Sequence, residues 1–172
     1  MPLLPSNSQR PDLPRDKFKV LELGCGSSAI PSLVLNLMNL VQTSTITDKA
    51  SVIPLLNASL AQIVLPCTPI SRTIDWTNSQ QYESLGDLWD LIVVSDCFAF
   101  PELYIPLVAT LKATSSQSTL IYIAYERREL EKEIEFFKLF GQSFKFENVL
   151  KHELDDLWRA DDSIYLYRGW RR

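Results

Sequence analysis

Residues 20–28 read VLELGCGSS, and this stretch decides the fold. An apolar strand runs here directly into a glycine-rich turn, and a helix is expected to follow from Ala29. Gly24 and Gly26 allow the backbone to turn sharply and leave no Cβ in the path of a ligand. The first turn of the following helix offers free N–H groups to a negatively charged group. The stretch therefore predicts a ligand-binding turn at the carboxyl end of the first strand of an open α/β sheet.

Strand-like and helix-like segments alternate along the rest of the chain, which is typical of a parallel sheet with helices on both faces. No helix separates the last two strands, so they must be antiparallel. We predict a doubly wound, Rossmann-like α/β fold with a seven-stranded, mostly parallel sheet and an antiparallel C-terminal strand pair. The predicted strands are Lys17–Leu23, Thr45–Thr47, Ile70–Ile74, Trp89–Ser95, Thr119–Tyr125, Phe144–Leu150 and Ser163–Gly169. The predicted helices are Ala29–Val41, Val52–Val64, Glu102–Lys112 and Arg127–Phe140.

Two of these helices carry predictions about which side chains are buried. The helix at Ala29–Val41 is apolar nearly all round, which is typical of a helix buried on every side. In the charged helix at Arg127–Phe140, the helical spacing points Leu130, Ile134 and Phe137 toward the core, with Phe136 as a further candidate.

The composition indicates one globular domain with an acidic balance. The chain has 172 residues and a net charge of −4, which disfavours a nucleic-acid partner. Residues 1–17 hold four of the ten prolines, and we predict that they form a flexible arm ahead of a domain at residues 18–172. No run of about 18 apolar residues is present, so we expect no membrane-spanning segment.

The three cysteines and the single histidine do not form a metal-binding pattern. Cys25, Cys67 and Cys97 are far apart and odd in number, so neither a disulfide framework nor a zinc site is expected. His152 lies in a charged stretch and is expected on the surface. We therefore predict no metal ion, and the cysteine usage indicates a reducing compartment.

Acidic residues near strand ends point to a nucleoside ligand that carries an ammonium group. Glu22 stands two residues before the first glycine, where dinucleotide-binding folds usually have an apolar residue. Its charge suits the methionine part of S-adenosylmethionine. Asp48 ends the second strand, where it either accepts hydrogen bonds from both ribose hydroxyls or caps the next helix. Asp75 and Trp76 end the third strand, where they either face an adenine ring or close the sheet edge.

The segments VLELGCGSS, TITD, TIDW, DLIVVSDCF and IYIAYERRE together resemble the class I, seven-strand methyltransferases of methyltransferase family 16. The resemblance covers about residues 18–170, which is nearly the whole chain. Most members of that family methylate lysines of non-histone proteins such as elongation factors and chaperones. The resemblance therefore implies S-adenosylmethionine as the cofactor, a lysine-bearing protein as the partner, and a cytoplasmic or additionally nuclear location.

The same resemblance assigns roles to residues of this chain. Asp96 would lie beside the transferred methyl group and orient the substrate lysine as the catalytic residue. The first glycine turn would hold the methionine part of the cofactor, Asp48 the ribose, and the third strand end the adenine. The cofactor-binding residues implied in this way are Glu22, Gly24, Gly26, Asp48, Asp75, Trp76 and Ser95.

Three features depart from the family pattern. Ser28 replaces the third glycine, and Ala99 stands where the family has a tyrosine, for which Phe98, Phe100 or Tyr104 would substitute. Only a short proline-rich arm precedes the first strand, where members usually have a longer segment. These departures favour a competing hypothesis, a non-catalytic module that binds S-adenosylmethionine. Two further hypotheses are a nicotinamide-dependent oxidoreductase and a small-molecule methyltransferase.

Overall fold

A computed structural model of the chain describes residues 10–156 and 163–172. The strands are β1 (Phe18–Leu23), β2 (Val41–Asp48), β3 (Ile70–Thr73), β4 (Leu91–Ser95), β5 (Leu120–Glu126), β6 (Phe144–Asn148) and β7 (Ile164–Arg171). The helices are α1 (Ile30–Leu37), α2 (Ile53–Leu60), α3 (Ser79–Glu83), α4 (Tyr104–Thr114) and α5 (Leu130–Phe140). Each predicted strand and helix is therefore present. Helix α3 is an addition, and so is a 3-10 helix at Lys151–Glu153, in the connection between β6 and β7 where no helix was predicted.

The seven strands form one sheet in the order β3-β2-β1-β4-β5-β7-β6. The five strands from β3 to β5 are parallel, whereas β7 runs antiparallel to both of its neighbours. The prediction of a doubly wound, mostly parallel sheet with an antiparallel terminal pair is thus confirmed. Because parallel strands end at one edge, the carboxyl ends of β1, β2, β3 and β4 lie side by side.

Helices cover both faces of this sheet. On one face, α4 and α5 pack against β1, β4 and β5 in a large core that contains the fully buried rings of Tyr104, Phe136 and Phe140. On the other face, α1 and α2 contribute Ala29 and Leu56 to a smaller cluster. Burial of such apolar side chains is the main force that holds the layers together.

The second strand is longer and the first helix shorter than predicted. Helix α1 ends at Leu37, and Asn39 then takes a left-handed backbone conformation with φ of 58°. Strand β2 begins at Val41, which pairs with Phe18 of β1. Polar residues 42–44 therefore join the strand, because pairing with β1 decides the boundary and local propensity does not.

The prediction that α1 is buried on every side is wrong. Its apolar side chains Val34 and Leu37 are exposed, whereas Ser32 and Asn36 are buried. The Ser32 N–H donates to the carboxylate of Glu22 at 3.0 Å, and Asn36 Oδ1 accepts the Cys67 N–H at 3.0 Å. These hydrogen bonds to buried groups turn the polar face of α1 toward the sheet.

Helix α5 turns Phe136 and Phe137 toward the core as predicted, but the rest of its inner face differs from the prediction. Leu130 and Ile134 point outward and are about half exposed, whereas Glu133 is buried. The Glu133 carboxylate accepts the N–H groups of Arg128 and Glu129, at 2.9 and 3.2 Å. These bonds satisfy free N–H groups ahead of the helix, which therefore begins at Leu130 and not at residue 127.

The short helix α3 was not predicted, although its start has a recognisable signal. The Asn78 side chain accepts the Gln81 N–H at 3.4 Å and caps the helix. A second unexpected turn is the 3-10 helix Pro101–Leu103, which delays the start of α4 to Tyr104.

Residues 10–17 contain no helix or strand but lie against the sheet. Arg10 pairs with Glu147 of β6 at 2.9 Å, and Leu13 packs against the cluster that includes Phe18. Residues 1–9 of the predicted arm lie outside the described residues. Within residues 10–156 and 163–172, no helix has the length and apolar character needed to cross a membrane.

Candidate active site

A cleft of about 410 Å³ opens at the carboxyl edge of the sheet, where β1, β2, β3 and β4 end. Small-molecule sites in proteins typically have volumes of about 300–1,000 Å³, so the cleft can hold a ligand of that class. Five of the eight site residues predicted from the sequence line it: Gly24, Asp48, Asp75, Trp76 and Asp96. The other three, Glu22, Gly26 and Ser95, lie next to the lining residues along the chain but do not line the cleft themselves.

The glycine turn owes its shape to Gly24. Gly24 has φ of +66°, and a Cβ added there would lie 2.7 Å from Cys97 Sγ and 3.0 Å from the Trp76 ring. The absent side chain thus makes room for two residues of this chain, and the floor of the cleft is tightly packed. Gly26 has φ of +63°, but no atom lies within 4 Å of a Cβ added there. Only backbone conformation requires a glycine at Gly26.

Glu22 is buried in the sheet beside the turn, with 1% of its surface exposed. Its Oε2 accepts the Ser32 N–H and so ties β1 to the first turn of α1. Burial raises the pKa of Glu22 to about 7, and hydrogen bonding to Ser32 opposes that rise. A direct contact between Glu22 and a methionine ammonium stays a prediction.

Glu22 should make the stability of the fold depend on pH. The native state keeps the proton of Glu22 up to about pH 7, whereas an unfolded chain releases it near a pKa of about 4.3. Stability therefore falls as the pH rises through this window, by up to about 3 kcal/mol. In Glu22→Gln, which keeps the acceptor for Ser32, we expect this fall to disappear and stability above neutral pH to exceed that of the wild type. Urea unfolding at a series of pH values measures the effect.

The control for this measurement is Glu83→Gln, because Glu83 is exposed. It should keep the pH dependence of the wild type. An unchanged pH dependence in Glu22→Gln would show that Glu22 is ionised in the native state throughout the window.

Asp48 lies at the end of β2 and bonds to the glycine turn. Its Oδ2 accepts the Gly26 N–H at 2.8 Å, and its Oδ1 accepts the Lys49 N–H at 2.7 Å. Each carboxylate oxygen has a further lone pair, so both can still accept a hydroxyl from the cleft. The geometry suits the predicted ribose role, and the alternative role as a cap of α2 receives no support, because that helix has no side-chain cap.

Asp75 and Trp76 form the wall of the cleft that follows β3. The Asp75 Oδ1 accepts both the N–H and the hydroxyl of Thr77, which lowers the pKa of Asp75. Trp76 is half-buried and packs against the main core with its ring close to Gly24. Both residues therefore line the cleft, and the Trp76 ring also covers the core at this edge of the sheet. Contact with adenine stays a prediction.

Asp96 follows β4 in a left-handed backbone conformation with φ of 53°. Its N–H donates to Ala124 O of the neighbouring strand at 2.8 Å, and its carboxylate is exposed. The Asp96 Oδ2 accepts a hydrogen bond from Arg128 Nη2 at 2.9 Å. Ser95 is half-buried, and its carbonyl accepts the Cys97 thiol at 3.4 Å. Of these two predicted residues, only Asp96 has its side chain on the cleft.

Three aromatic residues were candidates to replace the tyrosine that the family has at Ala99. Phe98 and Tyr104 are buried in the core, where the Tyr104 hydroxyl donates to Phe98 O at 3.0 Å. Phe100 is 57% exposed and lines the cleft beside Ala99. Tyr125, which follows the same edge, is buried against Tyr165 and Tyr167 and does not reach the cleft.

Arg128 contacts a predicted site residue, Asp96, but was not itself predicted. It follows β5, as Asp96 follows β4, so the two strand ends bring them together at the same edge. The sequence did contain an indication of this position, because Arg128 lies in the segment YERRE at the end of a predicted strand. The cleft residues that were not predicted as site residues are Lys49, Ile74, Thr77, Cys97, Ala99, Phe100 and Leu103.

The thiols near the cleft are poor nucleophiles. Burial raises the pKa of Cys25 and of Cys97 to about 12, and neighbouring carboxylates add to the rise. Because the thiolate is the reactive form, neither residue is an effective nucleophile near neutral pH. In the part of the chain that the structure describes, no three His, Cys, Asp or Glu side chains are grouped to bind a metal ion.

Solved structures with this fold include several methyltransferases. Fibrillarin, a pre-rRNA processing protein of Methanococcus jannaschii, is 17% identical, with a TM-score of 0.64 over 90% of this chain and 66% of that one. A TehB-like, S-adenosylmethionine-dependent methyltransferase of Corynebacterium glutamicum is 14% identical, with a TM-score of 0.62 over 92% of this chain and 83% of that one. Aeropyrum pernix fibrillarin, solved with natively bound S-adenosylmethionine, is 15% identical, with a TM-score of 0.59 over 90% and 66%.

At these identities the likeness establishes the fold. This chain spans slightly less than two thirds of the length of either fibrillarin. The residues present fit S-adenosylmethionine, because the cleft has the volume for a small molecule and carries the Asp48 carboxylate at the end of β2. The nicotinamide hypothesis is set aside by a sequence match to a methyltransferase family.

Residues 6–143 match the sequence model of a family described as lysine methyltransferase. The match includes the glycine turn, the strand ends that line the cleft, and Arg128. It agrees with the resemblance carried by the sequence motifs and with the fold. The chain therefore belongs to this lysine methyltransferase family, has the class I methyltransferase fold and takes S-adenosylmethionine as its cofactor.

Proposed function

We propose that this chain transfers a methyl group to the side-chain amine of a lysine on another protein. The observation that carries the proposal is the position of Asp96, a carboxylate on the cleft with the exposed ring of Phe100 beside it. A carboxylate can orient an amine by a charge-assisted hydrogen bond, and an aromatic face attracts an amine cation. The description of the family supports the same substrate.

The chemistry requires a neutral amine, whereas a free lysine has a pKa of about 10.4. S-adenosylmethionine, when bound, supplies a methyl carbon on a sulfonium; the amine lone pair bonds to that carbon, the electrons of the broken carbon–sulfur bond stay on sulfur, and one proton leaves the nitrogen. Asp96 orients the amine, and removal of the amine from water inside the cleft lowers the amine pKa. Because a carboxylate also favours the ammonium form, Asp96 is an orienting group.

Charge supports a protein as the substrate. The chain carries a net charge of −4, and Asp48, Asp75 and Asp96 all line the cleft. An acidic mouth attracts a basic protein segment and repels a nucleic-acid backbone. We also propose that the chain acts in the cytoplasm, because Cys25, Cys67 and Cys97 are all free thiols.

Incubation of the chain with S-adenosylmethionine labelled in its methyl group and a cell lysate tests the proposed function. We expect a labelled protein band, and mass spectrometry should place the methyl group on a lysine. Labelled RNA or a labelled small molecule, with no labelled protein, would assign the activity to another substrate class.

Asp96→Asn keeps the size of the side chain and removes its charge. We expect turnover on the labelled protein to fall about tenfold or more, because positioning of a reacting group contributes several kcal/mol to catalysis. The dissociation constant of S-adenosylhomocysteine, measured by calorimetry, should change little. The matched control is Asp87→Asn, an exposed aspartate in the loop before β4 that should leave turnover unchanged. Equal turnover in Asp96→Asn and the wild type would remove Asp96 from the mechanism.

A non-catalytic, cofactor-binding role is the second candidate, and the observation that favours it is Ala99. This residue lines the cleft where the family has a tyrosine. If S-adenosylhomocysteine binds and no labelled product of any class forms, this second candidate replaces the first.

A further inference from the structure

Arg128 forms a bridge between two carboxylates at the mouth of the cleft. Its Nη2 lies 2.9 Å from Asp96 Oδ2 and 3.1 Å from Glu126 Oε2. The Arg128 side chain is 54% exposed and that of Asp96 46%, so a ligand can reach the pair from solvent. The guanidinium therefore occupies a position that a substrate cation on Asp96 would also need.

The backbone holds both members of this pair in place. The Arg128 N–H donates to Glu133 Oε1 at 2.9 Å, and Glu133 is buried at the start of α5. The Asp96 N–H donates to Ala124 O, and its left-handed conformation fixes the direction of the side chain. A change limited to the guanidinium should thus alter the charge at this place without moving the backbone.

A second, smaller cavity identifies the side of the cleft on which Arg128 stands. This cavity has a volume of about 50 Å³, and Phe98, Ala99 and Arg128 are among its lining residues. Ala99 lines both this cavity and the large cleft. The two spaces therefore meet at Ala99. Arg128 lines the smaller one, on the far side of Asp96 from Trp76 and the glycine turn along the sheet.

We infer that Arg128 is a positioning residue for the proposed methyl transfer, and this inference rests on the lysine substrate proposed above. In the free protein, Arg128 occupies the place of the substrate amine on Asp96. When a lysine enters, its nitrogen takes the Asp96 oxygen and the guanidinium stays on Glu126. The positive charge of Arg128 then balances a carboxylate that would otherwise hold the lysine as an unreactive ammonium ion.

The charges around the pair support this role for Arg128. Lys132 and Glu129 neutralise each other at 2.7 Å, and buried Glu133 has its ion-pair partner in Arg127 at 3.6 Å. Asp96 and Glu126 share Arg128 in the same way. Several other charged or titratable groups surround the pair of Asp96 and Arg128. They are Cys97 after β4, Glu126 and Arg127 after β5, Glu129, Lys132 and Glu133 at the start of α5, and Asp48 and Lys49 across the cleft.

Removal of the Arg128 charge should affect binding and reaction in opposite directions. In Arg128→Gln, two carboxylates face the entering amine without a balancing cation. A unit charge at this distance, screened by solvent, corresponds to about one pH unit in the amine pKa. The ammonium form should bind about tenfold more tightly near neutral pH, whereas the neutral, reactive fraction falls by about the same factor.

The binding test uses Nα-acetyl-lysine methylamide as the probe and needs no catalytic activity. With S-adenosylhomocysteine present, an NMR titration near neutral pH should give a dissociation constant about tenfold lower for Arg128→Gln than for the wild type. Arg128→Lys keeps the charge and should behave as the wild type. Lys138→Gln is the matched control, because Lys138 is an exposed cation of α5 that is not among the groups facing the pair.

On the labelled protein substrate, Arg128→Gln should lower both KM and kcat, and the acidic limb of its pH–rate profile should move up by about one unit. A residue with only a structural role would weaken probe binding and leave the pH profile in place. Equal or weaker probe binding in Arg128→Gln, or no binding to either protein, overturns the inference about Arg128. Lysine labelling by the wild type would still support the proposed function in that case, and its absence would reject that function separately.

Discussion

Gly24→Val should destabilise the fold by about 3 kcal/mol and abolish cofactor binding. The new Cβ would lie 2.7 Å from Cys97 Sγ and 3.0 Å from the Trp76 ring, which is closer than real Cβ contacts. Overpacking of this kind costs about 1–3 kcal/mol. A β-branched residue at φ of +66° adds about 1–2 kcal/mol of backbone strain. The sum of about 3 kcal/mol is a large part of the stability of a typical domain, which is about 5–15 kcal/mol.

Urea unfolding and calorimetry with S-adenosylhomocysteine measure the two effects of Gly24→Val. The matched control is Gly86→Val, because Gly86 also has a positive φ, of +68°, but has no atom within 4 Å of an added Cβ. Gly86 lies before β4, away from the cleft, so this variant carries the backbone strain without the overpacking. It should lose about half as much stability and keep its affinity for the cofactor product. Equal losses in the two variants would mean that Cys97 and Trp76 yield to the new side chain.

The parallel and antiparallel parts of the sheet could be predicted because the pattern of elements restricts them strongly. Apolar runs such as Leu91–Ser95 mark buried parallel strands, and the loop that the sequence predicts between the last two strands requires an antiparallel pair. The boundaries were less predictable. The polar start of β2 at residues 42–44 is a strand only because β1 pairs with it, and that partner is distant in the sequence.

The outline of the site followed from the same topology. Asp48, Trp76 and Asp96 each follow a parallel strand, so one sheet edge collects them whatever the packing of the core. The burial of Glu133 in α5 could not be predicted. Its carboxylate accepts a backbone N–H group ahead of the helix, and Leu130 points toward solvent instead. Charged side chains within a helix pattern are normally assigned to solvent.

The contacts within the site depend on loop conformations that periodicity does not describe. Cys97 reaches the glycine turn because Asp96 adopts a left-handed conformation, which asparagine and aspartate tolerate better than most residues. The pair between Asp96 and Arg128 joins two loops that follow neighbouring strands. Sequence patterns place such residues at an edge but do not give the direction of their side chains.

Asp48→Ala should weaken binding of S-adenosylhomocysteine by at least about a hundredfold, because two carboxylate hydrogen bonds to ribose would each contribute about 1.5–3 kcal/mol. The same change removes the acceptor for the Gly26 N–H, 2.8 Å from Asp48 Oδ2, so the glycine turn also loses a tie to β2. Calorimetry gives the affinity, and thermal unfolding gives the structural cost. Asp48→Asn keeps one acceptor oxygen for Gly26 and should lose less of both.

The structural and the binding contributions of Asp48 are separated by Asp90→Ala. Asp90 precedes β4, and its Oδ2 accepts the Lys19 N–H of β1 at 2.8 Å, a bond of the same kind and length at the opposite edge of the sheet. Asp90→Ala should therefore destabilise the fold about as much as Asp48→Ala while the affinity for S-adenosylhomocysteine stays that of the wild type. If Asp48→Ala binds as the wild type does, its carboxylate only fixes the glycine turn, and the ribose must be held by other groups of the cleft.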